Sequence, residues 1–420
     1  MKNTIGLIGS CVAIAVAAAA AQVTLPLQPP GKGTPNFGRV VTKPEGAQLT
    51  VPAGFTVSMY ADDLLGARTM EFAPNGDLFV AQSFQNVIAI LRDTNKDGIP
   101  DSRMVYAQGP PAPAGRGGGP PTISPGAACV AEGATGGRQP FGMAFQPGYL
   151  YVGYTDCIVR YKYTSGDAKP QGAPEKLADL PTGGGHITRN ILFTRDRKKM
   201  YVSVGSASNN DDGEDPRRAA INEYNPDGTG HRIFASGIRN PVGLAWQPGT
   251  NTLWTAVNER DNLGDDLVPD YATSVKDGAF YGWPYSYIGQ NYDPKHQGKM
   301  PDLVKRAIVP DVLIQAHSAA LGIAFYTGTQ FPPRYRNGAF VALHGSWNRS
   351  KTAGVKVIFV PFQNGKPGAI EDFLTGFVVS EAENSKWGRP VGVTVARDGS
   401  LLVSDDGGNR IWRAQYGGGK

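Results

Sequence analysis

The stretch PVGVTVARDGSLLVSD at residues 390–405 alternates apolar with small or polar residues, turns through Asp-Gly, and runs on into a second apolar segment. Period-two alternation on both sides of a tight turn is the pattern of a β-hairpin. Five other segments repeat it: TMEFAPNGDLFVAQ at 69–82, FGMAFQPGYLYVGY at 141–154, RNILFTRDRKKMYVSVG at 189–205, PVGLAWQPGTNTLWTAV at 241–257 and ALGIAFYTGTQFPPRYRNGAFVAL at 320–343. Hairpins recurring at intervals of about 50–80 residues indicate propeller blades rather than separate domains.

Several hairpins continue into a third apolar strand, as in NVIAIL from Asn86, IVRYKY from Ile158, VKVIFVPF from Val355 and RIWRAQ from Arg410. A shorter fourth run follows in five of the six, from Arg103, Glu175, His231, Asp311 and Asp372. The last unit has none, and GFTVSMYAD from Gly54 precedes the first. Supplying the missing strand from the N-terminal side removes an open sheet edge. The expected fold is therefore all-β, a six-bladed β-propeller over residues 54–416 closed by an N-terminal strand, preceded by an extension at 22–53.

Residues 1–21 read as a secretory signal: one lysine, an uncharged apolar run, and small residues before Gln22. A lipid anchor on Cys11 is the weaker alternative, because few apolar residues precede it. Export to the periplasm or medium is thus expected, leaving Cys129 and Cys157 as a pair able to form one disulfide. After the leader no stretch is long and apolar enough to span a bilayer, so no stable membrane insertion is expected. The formal charge of +5 is spread along the chain, which gives nucleic-acid binding little support.

In a propeller blade the loops leading into the inner strand and the loops joining the second and third strands share one face. That rule brings Arg68, Arg138, Gln139, His186, Arg239, Asn240, His317 and Arg389 to one mouth, with 258–261 and 344–349 beside them. Several arginines on one face repel one another unless an anion lies between them, so a polyanionic ligand is implied. His186 follows three glycines in LPTGGGHITRNI at 180–191. Glycine permits a close backbone approach, which favours a base at a ligand site over a plain turn histidine.

On the opposite face, DTNKDGIPD at 93–101 places Asp93, Asn95, Asp97 and Asp101 as in the start of an EF-hand loop, and a structural calcium is expected there. Met104 stands where the closing glutamate would be. The Gly/Pro-rich insert at 109–126 reads as a long loop. Asn348-Arg349-Ser350 fits a glycosylation acceptor and is read as incidental.

GHITRNILF around His186, GIRNPVGLAW from Gly237, NERDNLGDDLVPD from Asn258, YGWP from Tyr281, HGSWNRS from His344 and WGRPVGV from Trp387 resemble the soluble quinoprotein sugar dehydrogenases. Within that family the chain is most similar to the sorbosone and pyranose dehydrogenase branch. The resemblance implies pyrroloquinoline quinone (PQQ) and Ca2+ as cofactors, a sugar substrate and an external electron acceptor. It implies His186 as catalytic base and Arg239, Asn240, Arg389 and either Arg349 or Lys351 as cofactor contacts; Gln139 lies near the position of the family's cofactor-binding glutamine, and Arg68, brought to the same mouth by the facing rule, is a further expected contact. It also implies that the backbone carbonyls of Arg260 and Asp261 hold a catalytic calcium. Gly185 departs from the family, which has an acidic residue before the base. PQQ carries three carboxylates, which suits an arginine-rich mouth. No Cys-x-x-Cys-His occurs, so no c-type haem is attached. Two other readings stay open: a calcium-dependent six-bladed lactonase or esterase, and a noncatalytic ligand-binding propeller.

Overall fold

The computed structural model describes residues 23–25, 27–111 and 129–417. The expected signal segment, and most of the Gly/Pro-rich insert, lie outside the described residues. Among those described, six sheets have four strands each, and all of their pairings are antiparallel. Their inner strands are Ala67–Phe72, Pro140–Gln146, Ile191–Phe193, Asn240–Trp246, Ala320–Phe325 and Pro390–Val395. Each inner strand packs on that of the next sheet, and the sixth packs on the first. The sixth sheet takes its fourth strand, Phe55–Ala61, from the N-terminal side, where it pairs with Arg410–Tyr416. The architecture is of the β-propeller type.

A shared local device explains how the inner strands approach so closely. Five of them carry a bulge at the same place, shown by register shifts at Ala67/Met70, Pro140/Met143, Pro241/Leu244, Ala320/Ile323 and Pro390/Val393. In four of the five a glycine occupies the bulge. A Cβ on Gly243 would meet Leu321 O at 2.6 Å, on Gly322 Val391 O at 2.6 Å, and on Gly392 Arg68 O at 2.5 Å. Gly142 lies equally tight against Ile191. Any side chain at these positions would push adjacent sheets apart.

The second strands sit between neighbours on both faces and are almost wholly buried, as in Met200–Val204 and Ala339–Leu343. Aromatic residues fill the wedge between the fifth and sixth sheets, where Phe55 meets Phe331, Tyr335 and Phe373 edge-on at 4.7–5.1 Å. The fourth sheet reaches its outer strand, Val312–Ile314, only after an excursion at 276–311 that carries a small hairpin, a 3-10 turn and one α-helical turn. Arg260 anchors this excursion through Asp293 at 2.6 Å.

The extension crosses the face that carries His344 and Arg389. Gly31 N donates to Leu263 O (2.8 Å), Asn36 N donates to Trp347 O (2.7 Å), and Arg39–Val40 pairs with Ser385–Lys386. Cys129 and Cys157 form a disulfide with a Cα–Cα distance of 6.0 Å. Asn348 is fully buried and exchanges hydrogen bonds with Asn262, so a glycan there would require unfolding of the loop.

Candidate active site

His186 stands on the loop leading into the third sheet. Its Nδ1 faces the Ser206 carbonyl at 2.8 Å and the Ser206 hydroxyl at 3.0 Å. A carbonyl only accepts, so Nδ1 carries the proton and Nε2 keeps its lone pair. Nε2 has no hydrogen-bond partner among the described residues. Burial, followed by the Arg239 charge, pushes the imidazole down to about 3. The shift favours the neutral imidazole, the form that can accept a proton.

Of the three glycines before it, one is required by packing. Gly184 has φ +82° and lies directly against Ala207, while Gly183 and Gly185 have open space where a side chain would go. Gly184 therefore answers to the backbone behind the loop rather than to a ligand in front of it. Gly205 answers to the site: His186 Cβ and the Asn240 side chain both pack onto its Cα. These two residues, distant in sequence, are thereby brought together. The Asn240 side-chain oxygen is buried without a hydrogen-bond partner.

Arg239 is buried and spent on the protein. Nε donates to Asn209 O (2.9 Å), Nη2 to Asn209 Oδ1 (2.9 Å) and Nη1 to Glu259 O (2.6 Å), with Asp261 Oδ2 3.4 Å from Nη2. Asn209 also takes the Asp261 N–H (2.9 Å) and donates to the Asp261 carbonyl (3.0 Å). This guanidinium ties two loops together. Asp261 also meets His317, whose Nδ1 lies 3.2 Å from its carboxylate while Nε2 lies 2.8 Å from Gly264 O. Both ring nitrogens of His317 face acceptors; burial opposes a charge there, but the Asp261 and Gly264 bonds raise its pKa above the ordinary value.

A second cluster joins the first, fifth and sixth sheets. Asp406 pairs with Arg68 and accepts from His344 Nε2 at 2.7 Å, while Arg389 Nε donates to His344 O at 3.2 Å. Burial opposes the Asp406 charge, yet His344 and Arg68 outweigh it and hold the carboxyl below its usual range. Burial and the Arg389 charge push His344 down to about 4. The outer nitrogens of Arg389 have no partner among the described residues. Gln139 is buried, donates its N–H to Asn86 Oδ1 (2.8 Å) and accepts from Thr155 Oγ1 (2.8 Å), so it ties the first two sheets together.

Two further expected cofactor contacts share the loop that follows His344. Arg349 binds Asp265 O and Asp266 Oδ1 (2.9 Å), and Lys351 is exposed on the same loop. In the 93–101 loop the carboxylates turn onto backbone N–H groups: Asp93 onto Gly98 N (2.8 Å), Asp97 onto Ile99 N (2.8 Å), Asp101 onto Asn95 N (3.1 Å), while Asn95 Oδ1 takes Asp97 N (3.0 Å). Arg413 donates to Gly98 O (2.9 Å), placing a cation beside them. Among the described residues the one group of three or more Cys, His or acidic side chains close enough to share a metal is Cys129, Asp156 and Cys157, where the sulfurs are bonded to each other.

Ser206, Asn209, Thr155 and Asp406 were missed in the sequence. All lie on loops joining second and third strands, so the facing rule finds them once applied to every sheet rather than to the fourth and fifth alone.

The mouth offers part of what PQQ would need. Arg389 offers a free guanidinium edge to a carboxylate, His186 offers Nε2, and the orphaned Asn240 oxygen needs a donor. Calcium on Asp261 does not fit. That carbonyl already accepts from Asn209 Nδ2 and from Arg260 Nε, each at 3.0 Å, and a carbonyl has two lone pairs.

Residues 153–346 match the model of the Glucose / Sorbosone dehydrogenase family, and residues 286–416 match the TrAA12-like model. An uncharacterized protein of Borreliella burgdorferi is 31% identical over 293 residues, covering 66% of this chain and 76% of that one. The pyrroloquinoline quinone-dependent pyranose dehydrogenase of Coprinopsis cinerea is 25% identical over 289 residues, covering 54% of this chain and 39% of that longer protein. The holo PQQ domain of a Coprinopsis cinerea pyranose dehydrogenase superposes with a TM-score of 0.69 at 20% identity, covering 89% of this chain and 98% of that one. The chain belongs to the glucose/sorbosone dehydrogenase family.

Proposed function

We propose that this protein is a PQQ-dependent dehydrogenase that oxidises a hydroxyl of an aldose, pyranose or sorbosone-type sugar and passes the electrons to an external acceptor. The observation that carries the reading is the His186 Nδ1 contact with Ser206 O, which leaves Nε2 as a fixed, unprotonated base. When bound, PQQ supplies the hydride acceptor. Nε2 of His186 takes the hydroxyl proton of the sugar as its C–H bond breaks. Arg389 orients a carboxylate of the cofactor, and Asn240 accepts a hydrogen bond beside the base. Arg239 and Asn209 hold the 258–261 loop in place.

This reading takes the six sheets as six blades closed by the Phe55–Ala61 strand, and residues 1–21 as an export signal. Calcium enters it as the ion that the resemblance implies; the saturated Asp261 carbonyl argues for other ligands. The structural calcium at 93–101 rests on the sequence pattern alone.

The test is reconstitution. Purified protein is titrated with PQQ, with and without Ca2+, and assayed for dye reduction with a panel of aldoses and pyranoses. A quinone absorption change at one equivalent together with sugar-dependent dye reduction supports the reading. No cofactor binding and no dye reduction across the panel would sink it.

A further inference from the structure

Phe37 and Trp347 are the only exposed aromatic residues among those described. They stack on each other, with ring centroids 5.4 Å apart and planes inclined by 15°. Phe37 is 74% exposed and Trp347 39%, so neither ring repays its exposure through core packing.

The pair is nevertheless built. Asn36 N holds the Trp347 carbonyl at 2.7 Å, and Asn36 Nδ2 donates to Ser350 O (2.9 Å) and Ala382 O (3.1 Å). On either side of Trp347, Ser346 and Asn348 are buried. Asn348 is locked to Asn262 at 2.7 and 3.1 Å. Two chain segments more than 300 residues apart in sequence are thus fixed so that their rings face water together.

Its position gives this a use. Trp347 lies three residues beyond His344, whose carbonyl takes Arg389 Nε, and three residues span at most about 11 Å. The platform therefore stands at the rim of the mouth. Polar residues lie close to it in the chain, including Arg39, paired with Glu383 at 2.6 Å, and Lys351, and the exposed aromatic surface is two rings wide. That is too small for the apolar core of a stable protein interface. It matches the C–H face of a pyranose, whose polarised hydrogens are attracted to an aromatic π-face.

We propose that Phe37 and Trp347 form an outer subsite that stacks a second sugar unit, so that the preferred substrates are oligosaccharides whose terminal unit reaches His186. This rests on the sugar-oxidising reading above and specifies its substrate class. The N-terminal extension then contributes directly to specificity.

The test compares a monosaccharide with its tetrasaccharide on the PQQ-loaded enzyme, in the unaltered protein and in Phe37→Ala, Trp347→Ala and Trp347→Phe. Tetrasaccharide binding to the cofactor-free protein is followed in parallel by calorimetry. The expected result is a tetrasaccharide KM about tenfold below the monosaccharide KM. Trp347→Ala and Phe37→Ala should erase that difference by raising the tetrasaccharide KM alone, while Trp347→Phe retains most of it. Should Trp347→Ala not fold, Phe37→Ala on the extension still decides. An unchanged KM ratio in Phe37→Ala and Trp347→Ala overturns the subsite, as does an effect seen only with a protein electron acceptor. Calorimetric binding that depends on both rings, with no sugar oxidised, would support the subsite while the dehydrogenase reading fails.

Discussion

The Ser206 carbonyl accepts a hydrogen bond from His186 Nδ1 at 2.8 Å, and that contact fixes which nitrogen of the imidazole can act as a base. The Ser206 hydroxyl, at 3.0 Å, is a second and weaker partner. Because the primary acceptor is backbone, no side-chain change at 206 removes it. Ser206→Ala should therefore lower kcat only about two- to fivefold, the loss of one neutral hydrogen bond, with KM unchanged. A hundredfold loss in steady-state assays would show that the hydroxyl, not the carbonyl, orients the ring.

Arg239 spends three guanidinium nitrogens on three different acceptors, two on Asn209 and one on Glu259. Lysine offers one point donor on a flexible stem and cannot reproduce that fork. Arg239→Lys should destabilise the fold by about 2–4 kcal/mol, since buried acceptors on two loops lose their donor. Denaturant titration measures this. A variant as stable as the parent would mean that Arg239 is free to serve the cofactor instead.

Arg389 has the opposite character, with only Nε engaged among the described residues. Arg389→Ala should leave stability nearly intact and weaken PQQ binding about tenfold or more, as expected for a lost charge-assisted bond. Fluorescence titration with PQQ at two salt concentrations checks it, with the larger effect expected at low salt. Equal affinity in variant and parent would remove Arg389 from the site.

Asp156 sits beside the disulfide with both carboxylate oxygens buried and unpartnered, and burial pushes its pKa up to about 6. Its folded pKa lies above the ordinary 3.8, so the folded state binds the extra proton between roughly pH 4 and 6. Stability is lost as pH rises through that window. Asp156→Asn removes the penalty and should stabilise the protein by roughly 1–2 kcal/mol at pH 7, with little change at pH 4. Thermal unfolding across pH 4–8 gives the answer. Destabilisation at pH 7 would reveal a partner for the carboxylate.

Much of this architecture was legible because it repeats. The hairpin at 390–405 and its five relatives mark the inner strands, and the missing last strand points to GFTVSMYAD at Gly54, which does pair with Arg410–Tyr416. The same facing rule brought His186 and Asn240 to one place. It did not reveal which arginines are spent: Arg239 and Arg389 are both arginines before an inner strand, and only three-dimensional acceptors separate them. Arg349 lies on the expected loop but turns to Asp265 and Asp266, a choice of side-chain direction that spacing cannot encode. The extension at 22–53 carried no periodic pattern, so its role beside Trp347 was invisible until the chain was seen folded.

One measurement addresses the role of His186 directly. PQQ-loaded protein is mixed with sugar in a stopped-flow spectrophotometer and quinone reduction is followed in a single turnover, for the parent and for His186→Gln. The expected result is that both bind PQQ with similar affinity while reduction in His186→Gln slows by about 10²–10⁴-fold, the loss of a general base. Reduction in His186→Gln within a few fold of the parent would contradict it.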